Sequence, residues 1–344
     1  MWRWMGFPFS HYIKYDQNKL LKTSKNICVV GAGRWGKNHI RALHDLGALG
    51  GIVEPREEVL TELLNEYDGV QGYASLNEAL ANSTFTGFVV ATPAETHHEI
   101  ASKIISTGKH VLVEKPLALT IEDAEEMVNL ADKYAVNLLV GHLLLFHPAI
   151  IKIKELINGG TIGNLQYIYS NRLNLGQVRT EENVFWSFAP HDISIFQYFT
   201  DSYPEQIKAQ GSTFLQNKIH DSTITQFKYP NNVEGHIFVS WLHPFKEHRL
   251  VVIGSEAMIT FEDSAEGKPL KLYSKKIDME SGIPEKIDGQ EELIEYEHKM
   301  PLTEELKYFI EYLDHREPMI TNGQHALDVI RILVEASVQL QVDL

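Results

Sequence analysis

Residues 26–140 alternate short apolar runs with amphipathic helical segments, and that rhythm leaves few folds open. Ile27-Cys28-Val29-Val30 is a continuous apolar run, as expected of a parallel strand buried on both faces. Further strand-like runs fall at 50–53, 88–91, 110–113 and 137–140, separated by helical periodicity at 37–46, 59–67, 76–81, 97–107 and 121–134. Such βαβα alternation predicts a doubly wound parallel sheet with helices on both faces. After about residue 150 the rhythm changes. Long strand-like stretches appear at 165–175, 206–214, 222–229, 233–241, 249–253 and 258–262, with helices expected at 149–158, 194–199, 303–313 and 324–339. Pro230-Asn231-Asn232 reads as a turn joining two antiparallel strands. The charged, glycine-containing segment 275–296 reads as a loop. The fold class is therefore α/β, a doubly wound sheet followed by an α+β domain on an open, mostly antiparallel sheet.

The chain of 344 residues suits two domains, expected at 26–148 and 149–344. Residues 1–25 read as an extension, apolar and aromatic over 1–10 and then Lys-rich. They lack the long apolar core and small-residue cleavage site of a signal peptide, and no window has the apolar length of a membrane helix. Lys plus Arg number 31 against 46 Asp plus Glu, a net charge of −15, which excludes a nucleic-acid binder that must neutralise phosphates. Cys28 is the single cysteine, which excludes a disulfide framework and a Cys-rich metal site and fits a reducing cytoplasm.

Gly31-Ala32-Gly33-Arg34-Trp35-Gly36 is a G-x-G-x-x-G turn that follows a strand and opens a helix, the Rossmann arrangement. Gly31 permits the tight turn, Gly33 lets backbone N–H groups reach a pyrophosphate, and Gly36 permits close helix–strand packing. Glu54, at the end of the next strand, can accept ribose hydroxyls and repel a 2′-phosphate, so NAD is the expected cofactor. Arg56 softens that preference. Thr92 and Pro93, with His97, end another strand at the edge where open parallel sheets bind ligands. His97 and His98 are adjacent and point in different directions on a helix, so no metal site is expected there. Glu114-Lys115-Pro116 closes the strand at 110–113. It offers Lys115 as a general acid/base whose pKa burial can lower, before a proline turn able to take a cis bond. In the second half, apolar residues surround His191 and Asp192 where a helix is expected to start after Pro190. Asp192 there suits the first-turn dipole and His191 a proton transfer.

These segments, GAGRWG, ATPAETHH, EKPLAL and APHDISIF, resemble the Gfo/Idh/MocA oxidoreductases in identity and order over roughly 26–340. The resemblance implies a Rossmann domain, a C-terminal domain whose open sheet often mediates a homodimer or homotetramer, and Lys115 and His191 at the positions of the catalytic lysine and histidine. Residues 141–150, 169–194 and 240–247 are further similar to bacterial nucleotide-sugar 3-dehydrogenases. Those enzymes oxidise the C3 hydroxyl of UDP-N-acetylglucosamine or its uronic acid on the way to surface polysaccharides. The chain departs from that pattern in its N-terminal extension and in Glu54, where many relatives carry Asp.

That likeness leaves open which of Lys115 and His191 is the base. The expected division has His191, held by Asp192, take the proton while Lys115 stabilises the alkoxide. Arg172 and Arg179 are expected to fork onto phosphate or carboxylate, and Asn174 to bond a sugar hydroxyl. A free polyol or aldose would need no such clamp, and a non-catalytic nicotinamide-binding sensor would need neither Lys115 nor His191.

Overall fold

The computed structural model describes residues 26–314 and 316–342, so the expected extension at 1–25 lies outside the described residues. Six parallel strands form the first sheet: β1 (Ile27–Val30), β2 (Leu49–Val53), β3 (Gln71–Tyr73), β4 (Gly87–Val90), β5 (His110–Val113) and β6 (Leu138–Val140). Their order is β3-β2-β1-β4-β5-β6, with the reversal between β1 and β4. Every residue of β1, β2, β4 and β5 is buried, because helices cover both faces. Those helices are α1 (Arg34–Asp45), α2 (Glu57–Glu66), α3 (Leu76–Leu80), α4 (His97–Ile105) and α5 (Ile121–Tyr134). Strand β3 is not expected from the sequence. It is an edge strand of Gln, Gly and Tyr with no fully buried residue, so it carries no apolar run.

The second unit contains α6 (Pro148–Asn158), β7 (Leu165–Leu173), α7 (Val184–Thr200), β8 (Gln206–Ser212), β9 (Ser222–Tyr229), β10 (Val233–Ser240), β11 (Glu247–Gly254), β12 (Met258–Glu262) and β13 (Leu270–Tyr273). Three short strands follow: β14 (Lys276–Asp278), β15 (Glu285–Ile287) and β16 (Glu291–Leu293). The expected loop at 275–296 thus holds strand pairs, which form where backbone partners exist despite solvent-exposed, charged side chains. The eight-stranded sheet runs β16-β13-β12-β11-β7-β10-β9-β8 and is antiparallel except for β7 beside β10. The hairpin turn is where the sequence puts it. Asn231 and Asn232 adopt φ of 60° and 59° between the paired β9 and β10, in the left-handed region that Asn tolerates.

Helix α7 is the element the sequence misjudged. It begins at Val184, seven residues ahead of His191, where the Asn183 side chain accepts from the Trp186 N–H at 3.1 Å. Pro190 lies inside it. An interior proline costs a helix about 3 kcal/mol, but Val184, Phe185, Ala189, Ile193, Phe196 and Phe199 are buried here, each contributing roughly 1–3 kcal/mol. Packing wins. Asp192 therefore sits mid-helix, away from any N-terminal dipole.

Two last helices, α8 (Pro301–Glu311) and α9 (Gly323–Val342), return to the first unit. Helix α8 packs on α1, and α9 touches α5 and β6 on one side and α7 and β8 on the other. Helix α9 thereby joins the two sheets. Among the described residues no helix is long and apolar enough to cross a membrane.

Candidate active site

The crevice floor is built at the carboxyl ends of β1, β4 and β5. Gly31 has φ +91°, and a Cβ there would stand 2.9 Å from both Ala91 O and Thr92 Cγ2, so the glycine turn and the Thr92 turn are in contact. A Cβ on Gly36 would meet Gly31 O at 2.0 Å. On Gly33 it would meet nothing within 4 Å, and no acidic residue occupies the first turn of α1. An open concavity at a helix N-terminus with no acidic residue in the first helical turn fits a dinucleotide pyrophosphate. Gly33, Arg34 and Trp35 are exposed at its rim. Thr92 lies at the crevice edge, its Oγ1 accepting from Thr96 Oγ1 at 2.7 Å, and Pro93 beside it is exposed.

Two expected cofactor contacts are corrected. His97 is 1% exposed, with Nδ1 2.8 Å from Pro116 O and Nε2 2.9 Å from Thr92 O, so the ring is enclosed by the two loops, its one N–H donates to one of these carbonyls, and neither nitrogen faces a ligand. Glu54 is not a free acceptor. Its Oε1 accepts from Arg56 N and Nε, and its Oε2 from Arg56 Nη2 and Ala32 N. Those bonds, chiefly from the Arg56 side chain, hold its pKa down to about 2.

Glu114 is buried and fixed at both oxygens. Oε1 lies 2.6 Å from His39 Nε2, and Oε2 accepts from the Lys115 N–H at 3.2 Å. The Lys115–Pro116 peptide is cis. From this anchored turn Lys115 reaches across the crevice, its Nζ donating to Ser187 O at 3.2 Å. Ser187 is on α7, one turn before His191. Burial pushes Lys115 below the ordinary lysine range, opposed by Glu182 and Glu114 and assisted by Arg172 and Arg179. His191 is held well below 6.5, first by burial and then by Lys115 and Arg172. Among the described residues its Nδ1 is buried without a hydrogen-bond partner. The structure thus brings Lys115 and His191 into one electrostatic environment.

The Asp192 and Arg172 expectations fail together. Arg172 Nε donates to Asp192 Oδ2 at 2.7 Å and Nη2 to Oδ1 at 3.0 Å, a bidentate pair with side chains 13% and 4% exposed. Asp192 therefore holds Arg172 rather than His191, and the fork is not available to a phosphate. Sequence spacing cannot reveal this, because Arg172 comes from β7 and Asp192 from α7. Arg179 is different. It is partly exposed, with Nε only 4.0 Å from Glu182 Oε1, and lies within electrostatic reach of Lys115. Asn174 follows β7, anchored by its N–H to Ser240 O at 3.0 Å.

Sequence reasoning missed four buried groups near this centre. His39 is the partner of Glu114, signalled only by its place one turn after Gly36. His142 and His325 meet edge to face at 5.6 Å between centroids, and among the described residues both Nδ1 atoms lack hydrogen-bond partners. Glu305, on α8, has neither carboxyl oxygen hydrogen-bonded among the described residues, and burial raises its pKa well above the usual range.

The histidines make an acid-sensitive centre. Burial lowers His142, His191 and His325 from 6.5, His325 to about 4. A lowered folded pKa means the unfolded chain binds more protons between those values, so stability is full above pH 6.5 and lost as pH falls. Each such histidine contributes at most about 1.4 kcal/mol per pH unit. Urea midpoints should fall between pH 7 and pH 5, and His325→Gln should flatten the slope. An unchanged slope in that variant would show that His325 binds its proton equally in both states.

Comparison with known proteins agrees with this architecture. Residues 25–142 match the family described as "Oxidoreductase family, NAD-binding Rossmann fold", and residues 150–260 match "GFO/IDH/MocA C-terminal domain". A myo-inositol 2-dehydrogenase of Thermotoga maritima is 25% identical over 313 residues, 87% of this chain and 91% of that protein. A UDP-N-acetylglucosamine 3-dehydrogenase of Acidithiobacillus ferrooxidans is 23% identical over 320 residues, 90% of this chain and 97% of that protein. A solved structure of the enzyme of that name from the same organism superposes with TM-score 0.80 at 19% identity, covering 92% of this chain and 98% of that one. The glycine turn, the Glu114-Lys115-Pro116 turn and the two matched halves lead to one conclusion: this chain belongs to the Gfo/Idh/MocA oxidoreductase family and has its NAD-binding Rossmann unit.

Proposed function

We propose that the chain oxidises the C3 hydroxyl of a UDP-N-acetylglucosamine-type nucleotide sugar to the 3-keto sugar, in the supply of surface-polysaccharide precursors. The observation that carries the reading is the Lys115 bridge to the Ser187 carbonyl, one helical turn from His191. NAD, held at the glycine turn Gly31–Gly36, would supply the hydride acceptor for C3. His191, neutral because its pKa is depressed, takes the hydroxyl proton on Nε2, the nitrogen left once Nδ1 is buried. Lys115 donates to the oxygen as charge develops, exchanging the Ser187 carbonyl for the substrate. Oxidation thus separates one hydride and one proton, and each has a receiver.

The nucleotide-sugar choice is supported by the near full-length likeness to the Acidithiobacillus ferrooxidans protein, and by Arg179 standing partly exposed near Lys115. The bidentate engagement of Arg172 favours a second reading, a free polyol or aldose, since one expected anion clamp is lost. The likeness to the myo-inositol enzyme is compatible with it.

The discriminating experiment is NAD reduction, read at the nicotinamide absorbance, with UDP-N-acetylglucosamine, its uronic acid, myo-inositol and glucose. Turnover with a UDP-sugar alone is expected. Turnover with a free polyol and neither UDP-sugar would replace this reading with the second. Mass spectrometry of cofactor released on denaturation detects NADH retained from an earlier turnover, which would mask activity.

A further inference from the structure

Glu54 stands at the carboxyl end of β2, where a doubly wound sheet receives the adenosine ribose of a dinucleotide. A carboxylate has about four acceptor positions, and all four are filled here. Oε1 accepts from Arg56 N at 3.1 Å and Nε at 2.7 Å, and Oε2 accepts from Arg56 Nη2 at 2.8 Å and Ala32 N at 3.0 Å. The carboxylate is 3% exposed, whereas the Arg56 side chain is 61% exposed. A ribose there would meet the outer edge of a guanidinium, with the carboxylate behind it. Among the described residues Nη1 makes no hydrogen bond inside the protein.

We infer that Arg56 turns an NAD-selective ribose site into one that also accepts a 2′-phosphate, so that the chain binds NADP(H) as well as NAD(H). A bare carboxylate excludes the 2′-phosphate by charge repulsion. Here the paired guanidinium cancels that charge and presents further N–H donors, and an arginine fork matches phosphate oxygens. A 2′-hydroxyl is retained as a ligand because it accepts from the same donors. Glu57 and Glu58, next along the chain in the first turn of α2, are exposed, where solvent and salt weaken their repulsion. Arg56 is then the residue that sets cofactor discrimination.

The test is binding. NADH and NADPH are titrated separately against the full chain and the nicotinamide fluorescence followed, which needs no substrate. The two wild-type dissociation constants should agree within about tenfold. Arg56→Ala uncovers Glu54 and should weaken NADPH at least tenfold more than NADH, roughly 1.4 kcal/mol of selectivity. Adding Glu54→Gln to that variant should restore NADPH binding, because the uncovered charge is gone. Retained NADH affinity reports that each variant is folded, and Arg56→Gln serves should the alanine variant melt early. A wild-type preference beyond tenfold overturns the inference. So does a ratio unchanged by Arg56→Ala, or an equal loss of both cofactors.

Discussion

Lys115→Ala should lower kcat/KM by about a thousandfold or more while NADH affinity stays within a few-fold of wild type. The separation follows from what the side chain touches. Its backbone N–H and Glu114 keep the turn in place through bonds that the substitution leaves intact, so the cofactor floor persists. What disappears is Nζ, the cation beside His191 and the donor to Ser187 O. Lys115→Arg should not rescue activity, because a planar fork is bulkier and does not reproduce a point charge on a flexible stem. NADH titration alongside steady-state kinetics checks both halves. Retained turnover would remove Lys115 from the reaction, and loss of NADH binding would make its role structural.

Arg172→Ala should be the most destabilising of the changes considered, at about 3–5 kcal/mol, because it leaves Asp192 buried and unpaired. Asp192→Ala should do the same from the other side. The double replacement Arg172→Met with Asp192→Leu should recover much of the loss, since a buried ion pair exchanged for packed apolar groups is often close to neutral. Urea unfolding of wild type and the three variants reads each loss and the recovery. An arginine that clamped a substrate phosphate would behave otherwise: Arg172→Ala would raise KM for a nucleotide sugar and leave the urea midpoint unmoved. That result would restore the role read from the sequence.

The first sheet was legible because its information is local. Fully buried parallel strands are continuous apolar runs, as in Ile27–Val30, and the glycine turn carries its own steric logic in three positions. The missed strand β3 lies at the edge of that sheet, where no apolar run is required. Helix α7 was misread at its start because Pro190 is a strong local signal. The burial that overrides it comes from residues far away in sequence. Lys115 and His191 were found by motif, 76 positions apart, and their relation depends on the helices that hold the two units together.

By itself the sequence determined the doubly wound class and the dinucleotide turn, and it nominated residues for proton transfer. Periodicity, glycine placement and residue chemistry are properties of neighbouring positions. Only the tertiary structure decided what the polar groups are bonded to. Arg172 could not be assigned between phosphate and Asp192, nor Glu54 between ribose and Arg56, until the chain was folded. A charged side chain binds the best-placed opposite charge within a few ångströms, and that distance is set by packing.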